Sequence, residues 1–323
     1  MKIVRRQLCR RASAALLVIP AAVLLFAQVA AAGEKPVLVP SAQLLQGQVL
    51  RYALTLHTTV KSSRETMIQD AASALGAELS FTAVLRLEVL AVSQPPSVLR
   101  LRVTYERVSA AQRTVAPDES AGTDDEIARR LVALQGKSFE CSLNENGAGE
   151  CLGGTGALPG AAEGLRGWLG NLFGPRGIPR RKIKPGARWQ DEREAGAEIP
   201  LRDLRWLRRF AFAGEEPCLA AAGALPQTCA LIRMSSVMAR KGNSRDATPD
   251  AFRAKGLRTS GTASGANESF LRISLASGLV VSLSESATQS SDVTVAAVSG
   301  DRSIRTRSDL KSDTSLTLLP NPR

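Results

Sequence analysis

Three stretches alternate apolar and polar residues for longer than an ordinary strand requires, and this period of two sets the fold class. From 50 to 60 the even positions read Leu50, Tyr52, Leu54, Leu56, Thr58 and Val60, against Arg51, Ala53, Thr55, His57 and Thr59. From 79 to 91 the odd positions read Leu79, Phe81, Ala83, Leu85, Leu87, Val89 and Ala91, with Ser80, Thr82, Arg86 and Glu88 between them. Leu99, Leu101, Val103 and Tyr105 repeat the pattern against Arg100, Arg102 and Thr104. Side chains of a strand point alternately to opposite faces, so each stretch predicts a strand with one buried face. Strands longer than the usual ~5–6 residues imply a wide, strongly twisted sheet.

The segments between these strands carry weaker signals. Residues 63 to 76 lack a clear period and read as a connection, in part helical. Gln94-Pro95-Pro96 breaks the second strand from the third, and Ser109 to Gly122 reads as a polar loop. Thr123-Asp124-Asp125-Glu126 is a capping box opening a short helix with Ile127, Leu131 and Leu134 on one face. Gly136 suits its left-handed stop. Gly153 to Gly160 is a glycine-rich hinge, and Ala161 to Phe173 predicts a second short helix with Leu165, Trp168, Leu169 and Leu172 aligned.

Pro175 to Pro185 holds Arg176, Arg180, Arg181, Lys182 and Lys184. These cations could form an anion-contact or membrane-surface patch. Pro and Gly interrupt the run, which favours a solvated linker. Residues 201 to 212 fit a strand through Leu204, Trp206, Phe210 and Phe212, or a helix through Leu201, Leu204 and Leu207; strand is preferred. Alternation returns at Ala230, Ile232, Met234 and Met238, at Leu271, Ile273 and Leu275, and at Leu279, Val281 and Leu283. It ends with Leu310 to Leu318. The expected fold is mainly β, with long antiparallel twisted sheets, curled or barrel-like, and two short helices. The expected organisation is a leader at 1–32, a β-meander at 33–108 and a loop, helix, hairpin and helix at 109–173. A basic linker at 174–200 and a second β-meander at 201–323 complete it.

The leader follows from charge and hydropathy. Lys2, Arg5, Arg6, Arg10 and Arg11 precede an apolar run from Ala14 to Val29, which ends in Ala30-Ala31-Ala32. This is the pattern of a secretory signal peptide cleaved near Ala32, and it is favoured over a retained anchor. It predicts a periplasmic or secreted protein. The chain carries a net charge of +12, of which five charges lie in the leader. A basic surface can attract anionic partners. Aromatic residues are only 4% of the chain, too few for base-stacking platforms, so nucleic acid is not expected.

Four cysteines follow the leader: Cys141, Cys151, Cys218 and Cys229. In an oxidising compartment an even count indicates disulfides. Of the three possible pairings, local geometry favours one. A three-residue hairpin loop at Glu145-Asn146-Gly147 places Cys141 directly opposite Cys151. Cys218 and Cys229 then close a second small loop. Neither pair is Cys-x-x-Cys and no histidine lies nearby, which argues against redox or metal work.

Motifs for chemistry are few. His57 is the only histidine and falls on the polar face of the first strand. That disfavours the familiar zinc sites and most nucleophilic triads. No nucleophile elbow, phosphate loop or dinucleotide fingerprint is present. Glu192 and Glu194 flank Arg193 but nothing singles them out as a glycosidase pair. Asn267-Glu268-Ser269 matches a glycosylation acceptor. Trp168, Trp189 and Trp206 could line a ligand groove, although core packing is the commoner role.

Four segments together resemble a group of exported bacterial β-rich proteins of unknown function. They are Gly47-Gln48-Val49-Leu50-Arg51-Tyr52 and Gly136-Lys137-Ser138-Phe139, then Lys184-Pro185-Gly186-Ala187-Arg188-Trp189, and finally Gly261 through Leu283. The last hairpin of that family commonly holds aspartate, where this chain has Ser274 and Ser277. The resemblance implies an exported sheet-rich fold and no reaction. The expectation is a non-enzymatic protein without cofactor or metal, which binds an apolar ligand or an envelope partner. A structural envelope role, or a hydrolase that works without histidine, are the alternatives.

Overall fold

Strand pairing extends the alternating stretches into one antiparallel sheet. The computed structural model describes Leu38 and residues 42–66, 69–93, 98–115, 126–144, 148–153, 165, 168–170, 172–173, 177–179, 181–195, 199–218, 227–241, 246–300 and 302–320. The first meander comprises β1 (Val49–Thr66), β2 (Gln69–Ser93), β3 (Val98–Val115), β4 (Ser138–Asn144) and β5 (Gly149–Gly153). The second comprises β6 (Arg188–Glu194), β7 (Leu204–Pro217), β8 (Thr228–Arg240), β9 (Leu257–Ser274), β10 (Val280–Ala297) and β11 (Ser303–Leu319). Helix α1 spans Glu126–Val132 and α2 spans Asp250–Arg253. Further helical residues lie at 165, 168–170 and 172–173.

The sheet has eleven strands in the order β5-β4-β3-β2-β1-β11-β10-β9-β8-β7-β6. The first and last strands thus pair in its middle, from Arg51↔Leu319 to Thr66↔Ile304. The sheet does not close into a barrel. Its two edges are its short strands β5 and β6, whereas β2 runs for 25 residues. Short edges limit unwanted pairing with other chains. Bulges at Val84/Leu85, Val89/Ala91, Phe212/Gly214 and Val280/Ser282 bend the long strands.

Several expectations change at the strand ends. Residues 63–66 and 69–76 are strand, not a part-helical connection, and 109–115 belongs to β3 rather than to a loop. The reason is that ladder pairing with neighbouring strands, as in Arg64↔Thr306 and Ser109↔Thr82, extends these ends beyond the stretches that alternation marks. The stretch read as a basic linker likewise contains β6. The ambiguous segment 201–212 resolves as strand from Leu204. Of the expected helical stripe, Leu131 packs partly buried against the core and Leu134, just beyond α1, is buried, whereas Ile127 faces solvent and Ala128 takes the buried place in α1. The capping residues Thr123, Asp124 and Asp125 lie outside the described residues. Among those residues, no helix is long and apolar enough to cross a membrane.

One face of the sheet, called inner here, carries the core. Register aligns its side chains in rows across the strands. One row reads Ala83, Leu54, Leu316, Leu283, Leu271, Ile232 and Phe212, each opposite the next. All but the partly covered Leu54 are buried. Leu165, Leu169 and Leu172 join the same cluster from above the sheet, with Leu38 and Ile183, which form an isolated antiparallel bridge. Trp168 meets Tyr52 edge to face at 6.2 Å. Tyr52 is wholly buried, and its hydroxyl donates to the Val280 carbonyl at 3.0 Å. Burial pushes the Tyr52 phenol well above its usual range. A second, smaller cluster covers the inner face toward the opposite strand ends, through Ile199, Leu201, Leu204, Met238, Ala247 and Val293.

Candidate functional site

Between the two clusters the inner rows of β6 to β10 turn polar. The row after the Leu316–Leu283–Leu271 row reads Thr314, Glu285, Ser269, Met234, Phe210 and Trp189. The next reads Ser312, Ala287, Asn267, Ser236, Arg208 and Asp191. A cavity of about 380 Å³ opens there. Ile178, Trp206, Phe210, Met234, Leu271 and Leu283 form its apolar walls. Its polar lining includes Glu285, Asn267, Ser269, Ser236 and Arg208.

The strap at 177–179 lies across this region because Gly177 permits it. Gly177 has φ +97°, and a Cβ there would fall 2.6 Å from the Phe210 ring and 2.9 Å from the Asp191 carboxylate. Only glycine allows both the left-handed backbone and that approach. Its carbonyl accepts the Trp189 indole N–H at 2.6 Å. Trp189 stacks on Phe210, with centroids 5.4 Å apart and planes within 2°. The Arg208 guanidinium lies 5.3 Å from the Phe210 ring centroid and makes a two-point pair with Asp191, its Nε donating to Oδ1 at 2.7 Å. Arg208 is thus held by its partners and its charge is balanced.

Glu285 is different. Asn267 Nδ2 donates to Glu285 Oε1 at 2.7 Å, and the Ser269 hydroxyl donates to Asn267 Oδ1 at 2.9 Å. Burial raises the Glu285 pKa, and only the Asn267 hydrogen bond counters it. Ser269 is fully buried. The relay is directional: each donor points along it toward the carboxyl, which is its terminal acceptor.

Most of the residues that the sequence singles out fall elsewhere, whereas Trp206, Glu194 and Asn267 line the cavity. Cys141 and Cys151 form a disulfide, as do Cys218 and Cys229. Register in the first hairpin is Cys141↔Cys151, Ser142↔Glu150 and Leu143↔Gly149, as the turn geometry implies. The turn itself, 145–147, lies outside the described residues. In the basic stretch Arg181, Lys182 and Lys184 are exposed around the buried Ile183, while Arg176 and Arg180 lie outside the described residues. Arg181, Lys182 and Lys184 do not line the cavity. Ser274 and Ser277 shape a turn, the Ser277 amide donating to Ser274 Oγ at 3.2 Å. His57 sits on the outer face, Nδ1 3.1 Å from Ser80 Oγ and Nε2 3.4 Å from Glu78. Backbone amides around it are engaged in the sheet ladder, which provides no oxyanion pocket. Among the described residues no group of three or more potential metal ligands converges.

Glu285 escapes a reading of the sequence because it stands in Ser282-Leu283-Ser284-Glu285-Ser286, where alternation makes it one more polar residue. Asn267 stands out there only as a glycosylation acceptor. The available signal is parity: Glu285 shares the parity of Leu283, so an apolar face contains a carboxyl. Trp206 does line the cavity, while Trp168 serves the core.

No known family matches the chain, and no curated protein does. Among solved structures the chain is similar to a lipovitellin chain, described under lipid–protein interactions in lipovitellin. Identity there is 11%, and the match covers 87% of this chain and 26% of that one, with a TM-score of 0.43. The chain therefore spans about a quarter of that protein's length. A monoaromatic hydrocarbon channel, CymD, matches at 9% identity over 86% of this chain and 90% of that one, with a TM-score of 0.12. Both scores lie below the level that establishes a shared fold. Fold and site define an open eleven-stranded antiparallel sheet protein with a cavity in its covered face.

Proposed function

We propose that this chain is an exported, non-catalytic binding protein whose inner sheet face takes up the apolar part of an amphiphilic molecule. One observation carries the reading: a cavity of about 380 Å³ in which Ile178, Trp206, Phe210, Met234, Leu271 and Leu283 form apolar walls, and Arg193, Glu194, Arg208, Ser236, Asn267, Ser269 and Glu285 supply the polar groups. Small-molecule pockets of ~300–1,000 Å³ combine apolar walls with a few oriented polar groups in this way. Acid–base hydrolysis with two carboxyls receives no support, because Glu194, the other acid in the lining, pairs with Arg205 at 3.2 Å. Two disulfides fit an oxidising compartment, consistent with the leader read from the sequence.

The test is organic extraction of protein purified from its native host, followed by mass spectrometry. It is paired with a titration of the purified protein by dodecanol, read through tryptophan emission. A stoichiometric amphiphile in the extract, and a saturable emission change that is lost in Met234→Arg, is the expected result. An empty extract together with no saturable change overturns the proposal and leaves an envelope protein partner, sought by cross-linking, as the alternative.

A further inference from the structure

Resting on that reading, we infer that the cavity's polar end, Glu285 with Asn267 and Ser269, receives a protonated primary amine, so that the ligand class is an amphiphile bearing an ammonium group. The relay lacks a positive charge. The Ser269 hydroxyl is spent on Asn267, and the Asn267 amide is spent on Glu285. Both serve to hold the carboxyl, and neither leaves it a counter-charge. A recessed carboxylate with one neutral donor is poorly solvated, and a cation brought in by a ligand supplies both the missing charge and further N–H donors.

The neighbouring charges do not fill this role. Arg208, facing from β7, is bound at two points to Asp191 on β6. Arg193 on β6 has its Nε 3.7 Å from the same Asp191. Glu194 on β6 is paired with Arg205. From β11 the residue opposite Glu285 is Thr314, and from β9 it is Ser269; neither is charged. From β8 the inner positions are Met234 and Ser236, also neutral. An anionic headgroup would have to displace Asp191 from Arg208 and would also meet Glu285. A hydroxyl headgroup would bring a donor without the charge.

The experiment titrates the full mature protein with dodecylammonium, dodecanol and dodecanoate, each below its micelle concentration, by calorimetry at pH 7.5. The expected result is dodecylammonium binding at least tenfold tighter than dodecanol, with dodecanoate weakest. Glu285→Gln should abolish that preference. On native protein the preference should shrink as pH falls and Glu285 takes its proton, since the amine stays charged throughout; this arm needs no variant. Equal or tighter binding of dodecanol or dodecanoate, or a preference that survives both Glu285→Gln and acid, overturns the amine assignment and leaves the apolar-ligand reading standing. If none of the three binds, both fall.

Discussion

Replacing Leu169 by Ala tests whether the helical residues above the sheet hold its inner face together. Leu169 is wholly buried and belongs to the cluster that includes Tyr52, Leu85 and Leu101 on the first meander and Phe212, Ile232 and Leu271 on the second. The substitution removes three carbons, and at ~0.8 kcal/mol for each buried methylene the lost transfer free energy is about 2.4 kcal/mol. The void adds to that, because a sheet pinned by ladder hydrogen bonds on one side collapses little, so a total of ~3–4 kcal/mol is expected. Urea denaturation followed by tryptophan emission reads the change as a shift in midpoint at unchanged slope. Leu152→Ala is the control, since Leu152 is 72% exposed, and it should move the midpoint by less than ~0.5 kcal/mol equivalent. If Leu169→Ala behaves like the control, the segment is not part of the core and the inner face is covered by something else.

Three further outcomes follow from the same structure. Glu285 has its folded pKa raised by burial, so its contribution to stability is complete below the usual 4.5 and is lost as pH rises through the folded value. Glu285→Gln, which does not titrate, should therefore melt above the native protein at pH 8 and converge with it near pH 4; a higher native melting temperature at pH 8 would refute the burial argument. Asp292 is held down to about 2, first by its hydrogen bond from Arg305 and also by Arg307. Its stabilisation is present above the usual 3.8 and lost as pH falls toward about 2, so Asp292→Asn should melt earlier at pH 6 and match the native protein at pH 2. An equal deficit at both pH values would show that the ion pair is not the cause. Replacing Cys141 and Cys151 together by Ser opens a loop of sequence separation 10 and should cost roughly 3 kcal/mol of unfolding free energy; chemical denaturation that detects no loss would mean the β4–β5 edge is fixed without the bridge.

The period of two in Leu50–Val60 and Leu79–Ala91 was sufficient to assign strands and their buried face, because alternation is a local property of the backbone. The hairpin pairing Cys141 with Cys151 was legible for the same reason, the turn fixing register within ten residues. Local patterns fail where pairing alone makes a strand. Thr66 is strand because Ile304 lies opposite, and Arg188–Glu194 is strand because β7 lies beside it.

What the sequence by itself determined, then, is that long one-sided strands form, which residues face inward, and which cysteines the first hairpin sets opposite each other. What only the tertiary structure decided is how the meanders join: β1 pairs with β11 across some 250 residues of chain, and this brings the inner rows of β6–β10 under the strap at 177–179. Glu285, Asn267, Arg208 and Asp191 are separated in sequence by as many as 94 positions and share adjoining inner rows only through ladder register. The physical reason is that hydropathy reports whether a position faces a core, whereas a site depends on which distant side chains face it together.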